Sequence, residues 1–253
     1  MLALLLLLAP PAAAAPQRVV SINLCADQLL VALAEPSQIA GLSPLAADPA
    51  LSAVAARAGA FARVRPNAEA VLALSPDLVI AGAWGGREAE AILAGRAIPV
   101  LRLPLAEDFP AIRAQILQAG EALGQAARAA ALTADIDRRL AAIVPAGGEP
   151  VLVWQAAGFT PGHGTLADAV LVAAGRANAA RFAGYGTIRL EALLAAPPSL
   201  LVLPTLARGS TTSLAETLLL HPALAALPVR RIEPSWLACG GPESVRAAEA
   251  LAR

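Results

Sequence analysis

Short apolar runs alternate along this chain with longer stretches whose apolar residues recur at helical spacing. The runs LVIAG at 78–82 and LLVL at 200–203 contain no charged or hydroxyl-bearing residue, as expected of strands that are buried on both faces. Such strands are typical of parallel sheets covered by helices. Because strand and helix signals alternate, the pattern predicts an α/β fold with parallel sheets flanked by helices.

The second half of the chain repeats the pattern of the first half. Three segments return in the same order: ADQLLVALA (26–34) as ADAVLVAAG (167–175), EAVLALSPDLVIAG (69–82) as EALLAAPPSLLVLP (191–204), and IPVLRL (98–103) as LPVRRI (227–232). One match could arise by chance, but three matches in order indicate a degenerate duplication. The pattern therefore predicts two similar α/β lobes, at 16–106 and 144–253.

A long stretch of strong helix formers, residues 107–143, separates the two halves. Its isoleucines and leucines recur near helical spacing, and the turn sequence PAGGEP follows it at 145–150. This pattern predicts one long, rigid α-helix between the lobes. With about 30 residues it would be about 45 Å long. Two lobes on a stiff connector leave a cleft between them, where ligands are often bound.

The N-terminal segment indicates where in the cell the protein acts, and the balanced charge of the chain excludes one class of partner. MLALLLLLAPPAAAA, residues 1–15, joins a short apolar run to small residues, and it is interpreted as a signal peptide. No later segment reaches membrane-spanning length without charge or proline, so a free periplasmic protein is expected. Basic and acidic residues number 19 each, which argues against a nucleic-acid partner.

The bilobal order, the connecting helix and the segment NAEAVLALSPDLVI at 67–80 resemble one known family. They are similar to the periplasmic substrate-binding proteins of ABC importers for ferric siderophores, haem and vitamin B12. The resemblance covers nearly all of the mature chain. It implies a monomeric binding protein with no intrinsic cofactor, a metal chelate as cargo and an inner-membrane ABC permease as partner.

In that family each lobe offers a surface glutamate to arginines of the permease, and Glu69 and Glu191 match those positions. Paired charges on two lobes would set orientation and association rate more than affinity. An alternative is that each glutamate merely favours the first turn of a helix through the helix dipole, with Asn67 and Thr187 as nearby caps. The two roles are compatible.

Side chains that follow predicted strands are the candidate ligand contacts, because ligands of parallel sheets gather at the carboxyl ends of strands. Aromatic rings there could clamp a large, flat ligand, although each ring alone is equally explained by packing. An arginine would suit an anionic chelate. Arg87 and Arg231 are weaker candidates for contact with such a ligand. Arg87 is expected to be solvated at the surface, and Arg231 can have a structural role at the end of a strand. The predicted ligand-binding residues are Trp84, Trp154, Phe159, Tyr185, Trp236 and Arg102.

Two histidines and two cysteines remain. His163 is either a solvated loop residue or an axial ligand of a bound haem or cobalt, and His221 is expected at a helix end. Two histidines so far apart do not suit a bare metal ion, so no metal site is predicted. Cys25 and Cys239 both follow predicted strands. Three states are open for them: buried free thiols, a disulfide that joins the lobes, or thiolate ligands of a bound metal.

Three classes of function remain: an enzyme, a scaffold and a binding protein. No nucleophile elbow, metal-binding helix or phosphate loop is present in the sequence. A tetrapyrrole-metal chelatase is the enzyme alternative, since chelatases share the bilobal layers. The favoured hypothesis is a periplasmic receptor that captures a ferric siderophore, a corrinoid or haem and delivers it to an ABC permease.

Overall fold

The computed structural model describes residues 14–204, 222 and 227–253. Residues 1–13, which make up most of the expected signal peptide, and His221 lie outside the described residues. The rest forms two α/β lobes with an α-helical hairpin between them in sequence. The predicted fold class, parallel sheets flanked by helices in two similar lobes, is confirmed.

Each lobe contains a four-stranded, fully parallel sheet. The strands are β1 (Val19–Ser21), β2 (Ile39–Gly41), β3 (Leu78–Ala81), β4 (Val100–Arg102), β5 (Pro150–Val153), β6 (Phe159–Pro161), β7 (Ala177–Asn178), β8 (Tyr185–Thr187), β9 (Leu200–Pro204) and β10 (Val229–Ile232). The first sheet has the order β2-β1-β3-β4 and the second the order β7-β5-β9-β10, while β6 and β8 form a separate antiparallel pair. Both sheets thus place their second strand at one edge and their fourth at the other, so the two lobes have equivalent strand orders.

The helices are α1 (Leu24–Leu33), α2 (Ala55–Ala58), α3 (Ala68–Leu72), α4 (Arg87–Ala94), α5 (Phe109–Ala122), α6 (Ala126–Ala141), α7 (Leu166–Ala173), α8 (Leu190–Ala195), α9 (Ser235–Ala238) and α10 (Ser244–Ala252). Side chains cap several of them. Asn23 accepts bonds from the first amides of α1, and the expected cap Asn67 accepts one from the amide of Ala70. The expected cap Thr187 is wrong, because Thr187 lies in β8 and Arg189 precedes α8.

Alternate residues of the strands face different layers of core, as the pleat requires. In β3, Leu78 and Ile80 belong to a core that both lobes share, whereas Val79 belongs to a core on the outer face of the first sheet. In β5, Val151 and Val153 belong to the shared core. Leu152 belongs to an outer core of the second lobe. The central strands are buried on both faces because helices cover both sides of each sheet.

The predicted single connecting helix is wrong, because the chain turns back at Gly124. Gly124 adopts a left-handed backbone with φ of 69°, and the amide of Gln125 bonds to the carbonyl of Gly120 at 2.7 Å. The helices α5 and α6 then pack antiparallel. A Cβ on Gly120 would lie 2.3 Å from the Cβ of Ala129, so only glycine permits this close approach. The strong helix formers on both sides of Gly124 hide the turn in the sequence.

The second helix of the hairpin, α6, joins the lobes. Near its start, Arg128 donates to the carbonyls of Leu33 at 2.7 Å and Ala34 at 2.9 Å, at the end of α1 in the first lobe. Near its end, Arg139 donates two bonds of 2.8 Å to Glu249 on α10 in the second lobe. At about 1.5 Å per residue, α6 spans about 24 Å, about half of the predicted connector.

One apolar core runs through both lobes and the hairpin. It contains Leu30 of α1, Ile116 of α5, Ile136 of α6, Val170 of α7 and Val245 of α10, which are all almost fully buried. Burying such side chains stabilises the fold by about 1.5–3 kcal/mol each. Separating the lobes along this core would expose apolar surface on both sides.

Among the described residues, the structure has no helix of sufficient length and apolarity to span a membrane.

The buried carboxyl of Asp27 provides a test of the core of the first lobe. Asp27 is fully buried and accepts bonds from the amide of Ser43 at 3.0 Å and its hydroxyl at 2.5 Å. Burial raises the pKa of Asp27 despite these bonds. The folded protein therefore holds the proton more tightly than the unfolded chain does. The stability that comes from this tighter proton binding is fully present below the pKa of Asp27 in the unfolded chain, about 3.9. It is lost as the pH rises through the pKa of Asp27 in the folded protein.

We predict that Asp27→Asn gains stability relative to the wild type as the pH rises. The asparagine does not ionise, and its carbonyl can still accept the bond from the Ser43 amide. Urea denaturation of both proteins between pH 4 and pH 8 measures the difference in free energy of unfolding, which should increase with pH. A difference that stays constant over this range would contradict the prediction.

Candidate ligand cleft

A disulfide joins the lobes where their strands end. Cys25 lies at the start of α1, after β1, and Cys239 directly follows α9, after β10. Their Cα atoms are 5.4 Å apart, and the bond closes a sequence separation of 214 residues. Of the three states that the sequence leaves open for these cysteines, the structure has the disulfide. Because β1 and β10 belong to different sheets, the carboxyl edges of the two sheets meet at this bond.

The backbones of the two lobes also touch beside the disulfide. Gly240 lies against Ala106, which follows β4 of the first lobe. A Cβ on Gly240 would lie 2.1 Å from the carbonyl oxygen of Ala106, so no other residue fits there without displacing a lobe. The two lobes are therefore joined here by a covalent bond and by a backbone contact.

The first lobe presents Trp84 at this edge. Trp84 lies in the loop between β3 and α4, and 76% of its surface is exposed. The next two residues, Gly85 and Gly86, each have a φ of 74°, which a side chain would disfavour. The loop thus turns sharply at the carboxyl end of a central strand and leaves an indole ring in solvent.

The second lobe presents two stacked rings. Phe159 of β6 and Tyr185 of β8 have centroids 5.6 Å apart and planes within 7° of parallel. Their exposed fractions are 41% and 52%, so both remain accessible. Burial and, to a smaller extent, the negative charge of Glu107 raise the pKa of Tyr185. Glu107 lies between β4 and α5, two residues before the helix begins.

His163 follows β6 and is held by a carboxylate. Its Nδ1 is 3.2 Å from Oδ1 of Asp168, which also accepts a bond of 3.0 Å from the side-chain amide of Asn178. The other oxygen of Asp168 accepts the amide of Gly164 at 3.0 Å. With Nδ1 bonded to a carboxylate, Nε2 is the nitrogen that could bind a metal ion in a ligand. More than half of the His163 side chain is exposed.

Two of the predicted ligand contacts are engaged by the protein itself. Trp154 is 1% exposed and packs in the outer core of the second lobe, because it follows Val153 and the strand alternation turns it to the opposite face. Arg102 forms an ion pair with Glu90 and bonds to the carbonyl oxygens of Gly82 and Gly85. Trp236 is half-buried and packs against the shared core. Its role as a ligand contact stays a prediction.

Three polar residues at the cleft were missed by the sequence analysis: Glu107, Asp168 and Asn178. A signal existed for Asp168, because the repeats ADQL and ADAV place it at the same position as Asp27. Both aspartates accept a bond from a backbone amide outside their helix, that of Ser43 for Asp27 and that of Gly164, just before α7, for Asp168. Nothing in the local sequence distinguishes Glu107 from other loop glutamates.

Glu69 and Glu191 occupy equivalent positions in the two lobes. Each is exposed in the first turn of its helix, α3 or α8, and each helix leads into the third strand of its sheet. A groove of about 630 Å³ borders Glu69 and is also lined by Gly85, Gly86 and Arg87. A second groove, of about 450 Å³, borders Glu191. Both glutamates therefore lie at the carboxyl edge of their sheet, beside a concave surface.

The charged side chains of the cleft do not cluster as metal ligands. Within residues 14–204, 222 and 227–253, no three His, Cys, Asp or Glu side chains are arranged to hold a metal ion. Arg87 is exposed at the start of α4 and Arg231 is exposed in β10. Near the strand ends, the described chain thus exposes the rings of Trp84, Phe159 and Tyr185 together with the imidazole of His163.

Known proteins share this sequence pattern and this fold. The sequence profile of a family described as "Periplasmic binding protein" matches residues 19–230. The chain is similar to a periplasmic haem-binding protein from Pseudomonas aeruginosa, with 27% identity, a TM-score of 0.74 and coverage of 94% of this chain and 91% of that chain.

Two further solved structures share the fold. The periplasmic haem-binding protein of Roseiflexus sp. RS-1, in its apo form, is 24% identical, with a TM-score of 0.76 over 93% of this chain and 96% of that chain. The periplasmic vitamin B12-binding protein of Vibrio cholerae is 20% identical, with a TM-score of 0.66 over 94% and 95%. A sequence search of curated proteins gives no match.

We predict that loss of the disulfide lowers stability substantially. The double variant Cys25→Ala/Cys239→Ala should lose about 2–5 kcal/mol of free energy of unfolding, because the bond constrains a very long loop of the unfolded chain. Urea denaturation measures the loss. A reducing agent should destabilise the wild type by a similar amount and leave the double variant unchanged. Equal stability of the wild type in oxidising and reducing buffer would contradict the prediction.

Proposed function

The chain belongs to the periplasmic binding protein family, and on that premise we propose that it is the solute-binding component of an ABC importer whose cargo is a metal tetrapyrrole. Haem is the first candidate for this cargo and a corrinoid the second. The protein acts in the periplasm, captures the cargo between its lobes and delivers it to an inner-membrane permease. Its function is binding and docking, without chemistry on the cargo.

The observation that carries this proposal is the pair of exposed aromatic surfaces, one on each lobe. Trp84 belongs to the first lobe and the stacked Phe159 and Tyr185 to the second, and all three rings are accessible. Contiguous exposed apolar surface, such as the stacked pair of the second lobe, often marks a binding site. A flat, apolar macrocycle offers two faces of a size that such rings can cover by stacking.

The geometry of His163 favours haem within this class of cargo. An imidazole whose Nδ1 is bonded to a carboxylate presents Nε2 as a basic metal ligand, and Asp168 provides that carboxylate. The iron of a haem lying on the aromatic surface of the second lobe would find this ligand in the loop that directly follows β6. Similarity to haem-binding proteins at 27% identity over most of the chain agrees with this choice.

The remaining alternatives are less well supported. A ferric hydroxamate siderophore would need polar donors around its oxygen ligands, whereas the exposed rings of Trp84, Phe159 and Tyr185 suit a flat, apolar ligand. The chelatase-like alternative is not favoured, because relatives with this fold are binding proteins and a chelatase needs a cluster of histidine and acidic side chains.

The proposed transport cycle follows from how the lobes are joined. The disulfide, the contact of Gly240 with Ala106 and the shared core hold the lobes at one fixed separation. Cargo then enters between lobes that are already arranged for it, and little binding energy is used to close them. Glu69 and Glu191, one on each lobe, dock on arginines of the permease, and their spacing stays the same with and without cargo.

We predict saturable binding of haemin to the mature protein at micromolar or tighter affinity. Binding should quench tryptophan fluorescence and sharpen the haem Soret band, and His163→Ala should shift that band because an iron ligand is lost. Cyanocobalamin and a ferric hydroxamate siderophore are the comparison ligands. Binding of cyanocobalamin alone would support a corrinoid cargo. Binding of the siderophore alone, or of no ligand, would overturn the tetrapyrrole assignment.

We also predict that Glu69→Ala/Glu191→Ala abolishes uptake of the cargo and leaves its affinity unchanged. Both carboxylates are removed from the docking surface, whereas the aromatic surfaces stay intact. Uptake by cells that carry the permease and fluorescence titration of the purified variant measure the two effects. Glu121→Ala, an exposed glutamate on α5, is the matched control and should transport normally. Normal uptake by the double variant would show that docking does not depend on these residues.

A further inference from the structure

The loop that presents Trp84 is fixed in place although its indole ring is in solvent. Exposed loops with glycines usually sample many conformations. Here Gly85 and Gly86 both adopt a φ of 74°. A Cβ on Gly85 would meet no atom within 4 Å, so the glycine serves the backbone conformation and not close packing. The loop needs other contacts to stay in this one conformation.

Arg102 supplies those contacts from the neighbouring strand. Its guanidinium donates to the carbonyl of Gly82, at the start of the loop, and to that of Gly85 at 3.0 Å, after Trp84. The same guanidinium pairs with Glu90 of α4, with contacts of 3.0 and 2.7 Å. Only about a quarter of each of these two charged side chains is exposed. One arginine therefore ties both ends of the Trp84 loop to the helix that follows it.

The other side of the loop rests on the junction of the lobes. A Cβ on Gly82 would lie 2.3 Å from the side chain of Asn23, which caps α1. Asn23 is two residues before Cys25, the half-cystine of the first lobe. The loop is thus held between the disulfide region and Arg102.

We propose that Arg102 is a positioning residue, which orients the Trp84 loop for the cargo through Glu90 and the two carbonyl oxygens. This inference rests on the proposed function. It replaces the sequence-based expectation that Arg102 contacts the ligand itself, because its donors are committed to protein acceptors. Holding the ring in its binding orientation before cargo arrives reduces the entropy that binding costs. The guanidinium suits this role because its rigid fork of donors can bond several acceptors at once.

The first part of the test needs no ligand. The chain contains three tryptophans, so incorporation of 5-fluorotryptophan gives three fluorine NMR signals, and Trp84→Phe assigns that of Trp84. Arg102→Gln should shift or broaden the Trp84 signal and leave the other two in place. Arg96→Gln, an exposed arginine after α4, is the control and should change none. An unchanged Trp84 signal in Arg102→Gln would overturn the proposal whatever the cargo is.

Gly85→Ala is the second variant and keeps Arg102. Alanine disfavours a positive φ, so this change should disturb the Trp84 signal in the same way. If Arg102→Gln does not fold, as judged by circular dichroism, Arg102→Lys keeps the charge without the fork of donors. It should give the same change in the Trp84 signal. A Trp84 signal that neither Arg102→Lys nor Gly85→Ala alters would contradict a positioning role.

The second part compares haemin affinities in a double-variant cycle. Arg102→Gln and Trp84→Ala should each weaken binding about tenfold, and the double variant should be no weaker than Trp84→Ala alone. Additive losses would mean that Arg102 contacts the cargo directly, and the proposal would be wrong. If neither the wild type nor any variant binds haemin, the proposed function fails. The fluorine NMR signals still decide whether Arg102 positions Trp84.

Discussion

The fixed junction between the two lobes is the constraint on which the rest of this structure depends. The Cys25–Cys239 disulfide, the contact of Gly240 with Ala106 and the shared apolar core all act at or behind the same edge of the sheets. Breaking that junction would require reducing a covalent bond and exposing apolar surface on both lobes. Under the proposed function, the cargo site between the lobes is therefore largely preformed, and the loops that leave the carboxyl ends of the strands set its shape.

With a fixed junction, the proposed recognition of the cargo depends on the loops at the strand ends. Trp84 is held by Arg102, and Phe159 and Tyr185 are held by the pairing of β6 with β8. His163 is held by Asp168. Arg102 and Asp168 are each more buried than the exposed side chain that they position. Such an arrangement lowers the entropic cost of binding, because the protein is ordered before the cargo arrives.

Much of this organisation could be predicted from the sequence, since the repeated segments fall on equivalent strands and helices of the two sheets. The spacing of apolar residues indicates the type of each element, and the order of the repeated segments indicates the two similar lobes. The prediction of a single connecting helix is wrong because one residue, Gly124, reverses the chain within a stretch of strong helix formers. Trp154 and Arg102 were assigned to the ligand because position after a strand does not reveal which face a side chain takes or which partners it meets. Those facts depend on tertiary contacts.

The most direct test of this account is a crystal structure of the mature protein with haemin bound. The account predicts haemin between Trp84 and the Phe159–Tyr185 pair, an intact Cys25–Cys239 bond, and lobes whose relative position changes by less than about 1 Å from the unliganded protein. Haemin bound away from these rings, or lobes rotated apart about the junction, would contradict it.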